Sequence, residues 1–210
     1  MKQLFIFIMA MVLAVPSMNA QNKTLQKAMK KEYKAKMKSL KKEGWSLYGS
    51  TRTLEVALLS HYDKLTQLNE NGHEVLGEAT RCKSKNVGHQ MAINNACITY
   101  AQEAGSTVKG RVVADMAGDG IDTEAEFEHF YAAYERLVEK EIRGEMQESF
   151  SIIRSIDNGE YELQTYFIIN EDAASKARIR AMENALKESE AAQKYAEKVS
   201  EFVKEGFSVK

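Results

Sequence analysis

The chain has 210 residues, of which 44% are hydrophobic and 28% charged, and its formal net charge is −1. This composition is typical of globular proteins and excludes a disordered or fibrous chain. The length allows one domain with appendages, and its core is large enough to fold without disulfides. Only one proline is present, Pro16, which favours helices and plain strands over a loop-rich fold.

Residues Met1–Ala20 have the pattern of a secretory signal peptide. Lys2 is followed by an apolar run over residues 4–15, then by Pro16, and Ala20 is the small residue before the expected cleavage site. The stretch is too short for a mature membrane span, and no later run approaches the ~20 apolar residues that a span requires. No cysteine lies at the cleavage site to carry a lipid. The sequence therefore predicts a soluble exported protein, periplasmic or extracellular.

Residues 21–44 form a predicted basic amphipathic arm. Between residues 23 and 43 the chain has nine lysines and two glutamates, a net charge of +7. A thin apolar seam recurs at helical spacing. Its members are Leu25, Met29, Tyr33, Met37 and Leu40.

The arm precedes an acidic domain, because residues 45–170 contain twenty acidic and eleven basic residues, a net of −9. The arm can be solvated or fold back onto this domain, or it can adhere to an anionic lipid, glycan or wall polymer. The candidate contacts of the second alternative are Lys30, Lys31, Lys34, Lys38, Lys41 and Lys42. No nucleic-acid partner is expected, since no recognised module or aromatic-basic interleaving is present.

The first half of the domain predicts two strands flanking a helix. Trp45–Ser50 alternates as a short strand, and a helix follows from Ser50 or Thr51 to Gln67. Residues 69–72 form a turn, and His73–Cys82 forms the second strand. Within that strand Gly77 and Ala79 are small enough to let a helix approach closely.

The next segment predicts a central helix over Asn86–Ala104, with Gly105 as the residue that ends it. Thr107–Met116 alternates like a strand, and residues 123–143 have a strong helical stripe of aromatic and aliphatic residues. Asp115–Glu126 partly fits a calcium loop, but residue 117 is alanine and a strand leads in, so a polar turn is the preferred interpretation.

Asn158-Gly159 is the preferred sequence of a two-residue hairpin turn. A two-residue loop pairs Ile152 with Thr165 and Phe150 with Phe167, which places apolar residues together on one face. The domain is therefore α+β, with helices packed on one face of a small, mainly antiparallel sheet. A basic helix precedes it and a long helical tail follows it.

Residues 171–210 predict a helical segment with two apolar patches, one before and one after a polar stretch at 187–194. Either one long helix leaves the domain or two helices fold over it. The second patch, Tyr195, Val199, Phe202 and Val203, needs a partner, which is the chain itself, a second copy or another envelope protein.

The sequence contains no recognisable catalytic motif, metal-ligand spacing or cofactor fingerprint. Cys82 and Cys97 would meet poorly across the predicted strand and helix, so two buried free thiols are favoured over a disulfide. We therefore expect no enzymatic activity, no cofactor and no bound metal.

The order of the predicted strands and helices resembles that of a known domain. A strand with the sequence HEVLGEA (73–79) is followed by a helix with Gln90, Ala92, Asn95 and Ala96, then a strand, an acidic-aromatic helix and a hairpin ending in residues 161–169. This order resembles the domain of small membrane-associated bacterial lipoproteins that is also seen in the N-terminal domain of flagellar assembly protein T. The resemblance covers roughly residues 73–170 and implies a helix-on-sheet domain with an envelope structural or assembly role. It implies no catalytic residues, and this chain lacks the lipobox cysteine of those lipoproteins.

Two functions remain open from the sequence. The first is an exported, non-enzymatic envelope protein with a structural or assembly role. The second is a periplasmic or secreted binding module for a small amphiphilic or glycan ligand, held in a cleft between the sheet and the C-terminal helices. This cleft would then be lined by Tyr131, Tyr134, Tyr161 and Tyr166.

Overall fold

The structure, a computed structural model, describes residues 17–116 and 123–207. Residues 1–16 of the predicted signal peptide and residues 117–122 of the predicted polar turn lie outside the described residues. The chain divides into two compact units, residues 1–43 and residues 44–210. Among the helices of the described residues, none is long and apolar enough to cross a membrane.

The first unit contains helix α1, Ser17–Lys42. The second unit contains the sheet and the remaining helices of the described residues. Its strands are β1 (Ser46–Tyr48), β2 (Gly72–Cys82), β3 (Met146–Ser155) and β4 (Tyr161–Asn170). Its helices are α2 (Leu54–Leu68), α3 (Lys85–Met116), α4 (Thr123–Ile142), α5 (Glu171–Ala185), α6 (Glu190–Lys194) and α7 (Ala196–Glu205).

The four strands form one antiparallel sheet in the order β1-β3-β4-β2. The α+β class and the mainly antiparallel sheet predicted from the sequence are confirmed. The long strand β2 pairs with β4 from Gly72 opposite Asn170 to Ala79 opposite Leu163. This pairing brings the residues at the start of β2 next to the beginning of α5.

Helix α3 packs on the sheet face that carries Val75, Gly77 and Ala79 of β2. A methyl group on Gly77 would lie 2.8 Å from the carbonyl carbon of Ala92 and 2.9 Å from Cβ of Ala96. The prediction that this strand admits a closely packed helix is therefore confirmed. Helix α4 packs on α3, and α5 packs on α4, so the main core lies on this side of the sheet.

Helix α2 lies against the opposite face of the sheet, which adds a layer to the predicted arrangement of helices on one face. Its His61 is fully buried, with ring centroids 5.4 Å from Phe150 and 5.9 Å from Tyr166. The next residue along β4, Phe167, lies instead in the core with α3. Both faces of the sheet are therefore covered.

The predicted strand Thr107–Met116 is wrong, because α3 continues without interruption to Met116. Val108, Val112 and Met116 are all buried, and they are spaced four residues apart. A spacing of four keeps side chains on one side of a helix and also on one side of a strand. Gly105 does not end the helix and instead lies against Glu135 of α4.

The predicted hairpin turn has the expected backbone, but its register differs by one residue. Asn158 and Gly159 have φ angles of 62° and 71°, as an Asn-Gly turn requires. However, the amide of Ile156 donates to the carbonyl of Glu160 at 2.9 Å, so that Asp157 joins the loop. Phe150 therefore pairs with Tyr166, and Phe150 and Phe167 point to opposite faces.

The C-terminal helices fold over the domain, which decides between the two arrangements left open by the sequence. Val199 and Val203 of α7 are buried in the main core, and Tyr195 and Phe202 pack against it. Arg111 of α3 donates to the carbonyl of Phe202 at 2.6 Å. The second apolar patch thus has an intramolecular partner.

Candidate functional site

Two features of the described residues differ from an ordinary globular surface and core. The first is the lysine-rich side of α1. At 3.6 residues per turn, the six candidate lysines lie within an arc of about 120° on this helix. All six side chains are exposed. The members of this lysine face are Lys30, Lys31, Lys34, Lys38, Lys41 and Lys42.

The second feature is a buried arginine in the second unit. Arg178 of α5 is 1% exposed, and its guanidinium donates to the hydroxyl of Tyr100 at 2.5 Å and to both carboxylate oxygens of Glu171. Glu171 is also paired with His73, at 3.1 Å from the imidazole. We call His73, Tyr100, Glu171 and Arg178 the arginine cluster.

The local sequence explains how the cluster forms. β4 leads directly into α5, where the side chain of Asn170 caps the helix by accepting from the amide of Asp172 at 2.9 Å. Glu171 is thereby fixed at the first turn of α5, and Arg178 follows two turns later on the same side of the helix. His73 arrives from the adjacent strand β2 and Tyr100 from α3.

The electrostatics of the cluster favour an ionised Glu171. Burial would raise the pKa of Glu171, but hydrogen bonds and charge from His73 and Arg178 outweigh it and hold that pKa at about 2. Burial raises the pKa of Tyr100 to about 12, although the neighbouring Arg178 opposes the shift. Burial also raises the pKa of Tyr134. Both phenols are therefore neutral hydrogen-bond donors at physiological pH.

This cluster should make stability depend on acid pH. The unfolded state takes up a proton at Glu171 near the ordinary value of 4.5, whereas the folded state keeps the carboxylate ionised down to about 2. The stabilising contribution of Glu171 is therefore present above pH 4.5 and is lost as the pH falls towards 2. Urea unfolding of the wild type and Glu171→Gln over this range should show a stability difference that shrinks with falling pH; a constant difference would contradict the assignment.

A narrow gap, too small to admit a water molecule, lies next to the cluster, between α3, α4, α5 and the end of α7. Two of its lining groups are buried donors that have no hydrogen-bond partner among the described residues, Nε of Arg178 and the hydroxyl of Tyr134. Phe202, Val203, Gly206 and Phe207 close one side. We call residues 202–207 the cover.

The ring of Phe207 anchors the cover. It lies 5.2 Å from the guanidinium carbon of Arg178, and its centroid is 5.3 Å from that of Tyr100 and 6.0 Å from that of His73. Gly206 has a φ of 60°, and an added methyl group there would lie 2.6 Å from both Arg178 and Glu171. Glycine is therefore required where the backbone crosses the cluster.

The four tyrosines predicted to line one ligand site lie in three places. Tyr131 and Tyr134 are on α4 in the main core. Tyr166 stacks on Phe150 under α2, on the other face of the sheet, at a centroid distance of 4.4 Å. Tyr161 lies at the start of β4, where the Lys85 ammonium is 4.8 Å from its ring centroid. Of the four, Tyr134 alone lines the gap at the arginine cluster.

Ser151, His89 and Glu148 form a polar group that sequence reasoning did not single out. The Ser151 hydroxyl lies 3.2 Å from Nε2 of His89 and donates to Glu148 at 2.6 Å. Glu148 contacts the same imidazole nitrogen at 3.2 Å. A serine nucleophile requires the acid on the other nitrogen of the imidazole, where it orients the base. The arrangement is therefore that of a hydrogen-bonded structural group.

The two cysteines and the potential metal-ligating side chains of the described residues do not form a functional site. Cys82 and Cys97 are buried and free, as favoured from the sequence, and burial raises the pKa of both thiols. Nowhere in residues 17–116 and 123–207 do three potential metal-ligating side chains come together.

No family model, no curated protein and no solved structure matches this chain. The resemblance to the lipoprotein domain therefore stays a prediction.

Proposed function

We propose that this chain is an exported, non-enzymatic protein of the cell envelope that contacts an anionic surface through the lysine face of α1. Export rests on the signal-peptide pattern of Met1–Ala20. The observation that carries the surface contact is the placement of six exposed lysines on one side of a single helix. The α+β unit would then be the part of the protein that is held at the envelope.

Charge segregation supports this role. A helix with six lysines on one side can present them together to a plane, and each contributes about 1 kcal/mol near an anionic lipid surface. The acidic segment at residues 45–170, with its net charge of −9, would be repelled from the same surface. The proposal places no second copy or protein partner on α7, because the apolar side of α7 is already buried in the domain.

Vesicle sedimentation tests the proposal. We expect the chain to bind vesicles that contain phosphatidylglycerol, to leave phosphatidylcholine vesicles unbound, and to dissociate as salt screens the charges. Replacing Lys30, Lys34, Lys38 and Lys41 by glutamine should lower the partition coefficient by about 700-fold, given about 1 kcal/mol per lysine and 1.4 kcal/mol per tenfold change.

The matched control replaces four exposed lysines of the second unit by glutamine. Lys64, Lys83, Lys140 and Lys176 are suitable, and their loss changes the net charge by the same amount. The control protein should bind the anionic vesicles like the wild type. Equal losses in the two variants would show that net charge alone acts, and binding to neutral vesicles would exclude the electrostatic contact.

A further inference from the structure

We propose that two copies of this chain associate through one exposed side of α3, with the two helices antiparallel. The first half of this helix has an unusual composition. Residues 86–102 contain no aspartate, glutamate, lysine or arginine, although 28% of the chain is charged. Charged residues are depleted at the centres of protein interfaces, so an exposed helical stretch without them favours a binding surface.

The exposed side chains of this stretch lie together on the helix. At 3.6 residues per turn, six of them fall within an arc of about 100°, over about four turns. Three of the six are large apolar residues that are at least 36% exposed, namely Val87, Met91 and Ile98. We call the six residues the uncharged face. Its members are Val87, Met91, Asn94, Asn95, Ile98 and Gln102.

Two asparagines mark the borders of the uncharged face. On one border Asn95 donates to the carbonyl of Glu78 in β2 at 2.7 Å. On the other border Asn94 accepts from Arg143, just after α4, at 2.8 Å. The sheet and α4 thus meet the helix on either side of the face, and the three apolar side chains between the borders stay exposed.

The charges at the two ends of the face match those of a second, antiparallel copy. Lys85 stands at the beginning of α3 and Glu103 follows the uncharged stretch, and both are exposed. They are five helical turns apart, so they lie on the same flank of the helix. A two-fold axis that places Lys85 of one copy opposite Glu103 of the other also brings Met91 close to Ile98. A parallel pair would instead place lysine opposite lysine.

The size of the face predicts a weak dimer. A standard interface takes about 20–30 residues from each partner, which is more than the uncharged face and its flank supply. We therefore expect a dissociation constant of about 10–100 µM. Sedimentation velocity of the full chain over a concentration series up to about 500 µM measures this constant.

A double substitution in the middle of the face tests where the copies meet. Met91→Glu combined with Ile98→Glu places four carboxylates in the contact between two copies, and the protein should then stay monomeric. The matched control is Val56→Glu combined with Leu59→Glu on α2, where the two side chains are 47% and 52% exposed. The control should dimerise like the wild type. Far-UV circular dichroism verifies that both double variants keep the fold.

Charge reversal tests the antiparallel orientation. Lys85→Glu places two acids opposite each other at both ends of the dimer, and Glu103→Lys does the same with two lysines. Each variant alone should dimerise about tenfold more weakly than the wild type. An equimolar mixture should recover the affinity of the wild type, because each variant then meets the opposite charge on the other.

Three results would overturn the proposal. A wild type that stays monomeric at about 500 µM would leave the uncharged face to a different protein. A dimer that survives the double substitution of Met91 and Ile98 would show that the copies meet elsewhere. A mixture of the two charge variants that dimerises no better than either variant alone would exclude the antiparallel pair. None of these variants changes α1, so the result is independent of vesicle binding.

Discussion

Gly77→Ala should destabilise the second unit by about 3 kcal/mol, the upper part of the usual range for overpacking. The added methyl group would overlap the carbonyl oxygen of Ala92 and would lie 2.8 Å from the carbonyl carbon of the same residue. These atoms belong to the backbone of α3 and cannot rotate away as a side chain can. The helix would have to lift from the strand, which would open the main core. Urea unfolding followed by far-UV circular dichroism measures the loss.

Gly110→Ala provides the matched control within α3. A methyl group at Gly110 would have no other atom within 4 Å, and alanine is favoured over glycine inside a helix by about 0.5–1 kcal/mol. The same substitution should therefore stabilise the protein at this position. Similar effects at the two positions would show that contact between Gly77 and α3 does not limit how closely the helix packs on the sheet.

The hairpin shows why the sequence predicts the fold class better than the register. The Asn-Gly turn is a local property of two residues, and its backbone is as predicted. Whether Asp157 joins the loop depends on packing against two different helices. Since α2 covers one face and α3 the other, either register buries apolar side chains, and alternation along the strand cannot distinguish them. This two-sided burial also explains why the α+β class is correct although Phe150 and Phe167 lie apart.

Helix α3 shows a second limit of periodicity. By their helical spacing, Val87, Met91 and Ile98 share one apolar arc with Cys97, Tyr100 and Ala101, yet they are 56%, 43% and 36% exposed. Ala92, Ala96 and Tyr100 form the side that meets the sheet. The small alanines allow the sheet to approach this side of the helix closely, while α4 covers a neighbouring side. A hydrophobicity pattern gives large apolar residues more weight than alanine, so it predicts a buried side that is shifted away from the alanines.

The arginine cluster was not predicted, although α5 contains one sign of it. Ala174, Ala177, Ala181 and Ala185 are all fully buried, and they recur at helical spacing. Arg178 lies within this alanine stripe, where a charged residue must have a buried partner. The sequence could thus have singled out Arg178. The sequence could not have identified His73 and Tyr100 as its neighbours. These contacts depend on the pairing of β2 with β4 and on how α3 packs against the sheet and the other helices.

Arg178→Met is expected to cost about 3 kcal/mol or more of folding free energy. Methionine can fill much of the space, but Glu171 would lose both hydrogen bonds from the guanidinium and keep its contact with His73, while remaining only 23% exposed. Removing one member of a buried ion pair typically costs about 3–5 kcal/mol, because the other charge is left without compensation. The free energy of unfolding in urea at neutral pH measures this cost.

Two comparisons show whether the stability cost of Arg178→Met comes from breaking the buried ion pair or merely from removing a positive charge. Arg180→Met, two residues later on α5, breaks surface ion pairs with Glu141 at 2.7 Å and Glu145 at 3.2 Å, and should cost less than about 1 kcal/mol. Glu171→Gln combined with Arg178→Met removes both charges and should recover part of the loss, since a neutral pair needs no compensation. If Arg178→Met costs no more than Arg180→Met, the arginine cluster does not stabilise the fold. A recovery in the double variant would instead show that the ionised Glu171 requires Arg178 as its partner.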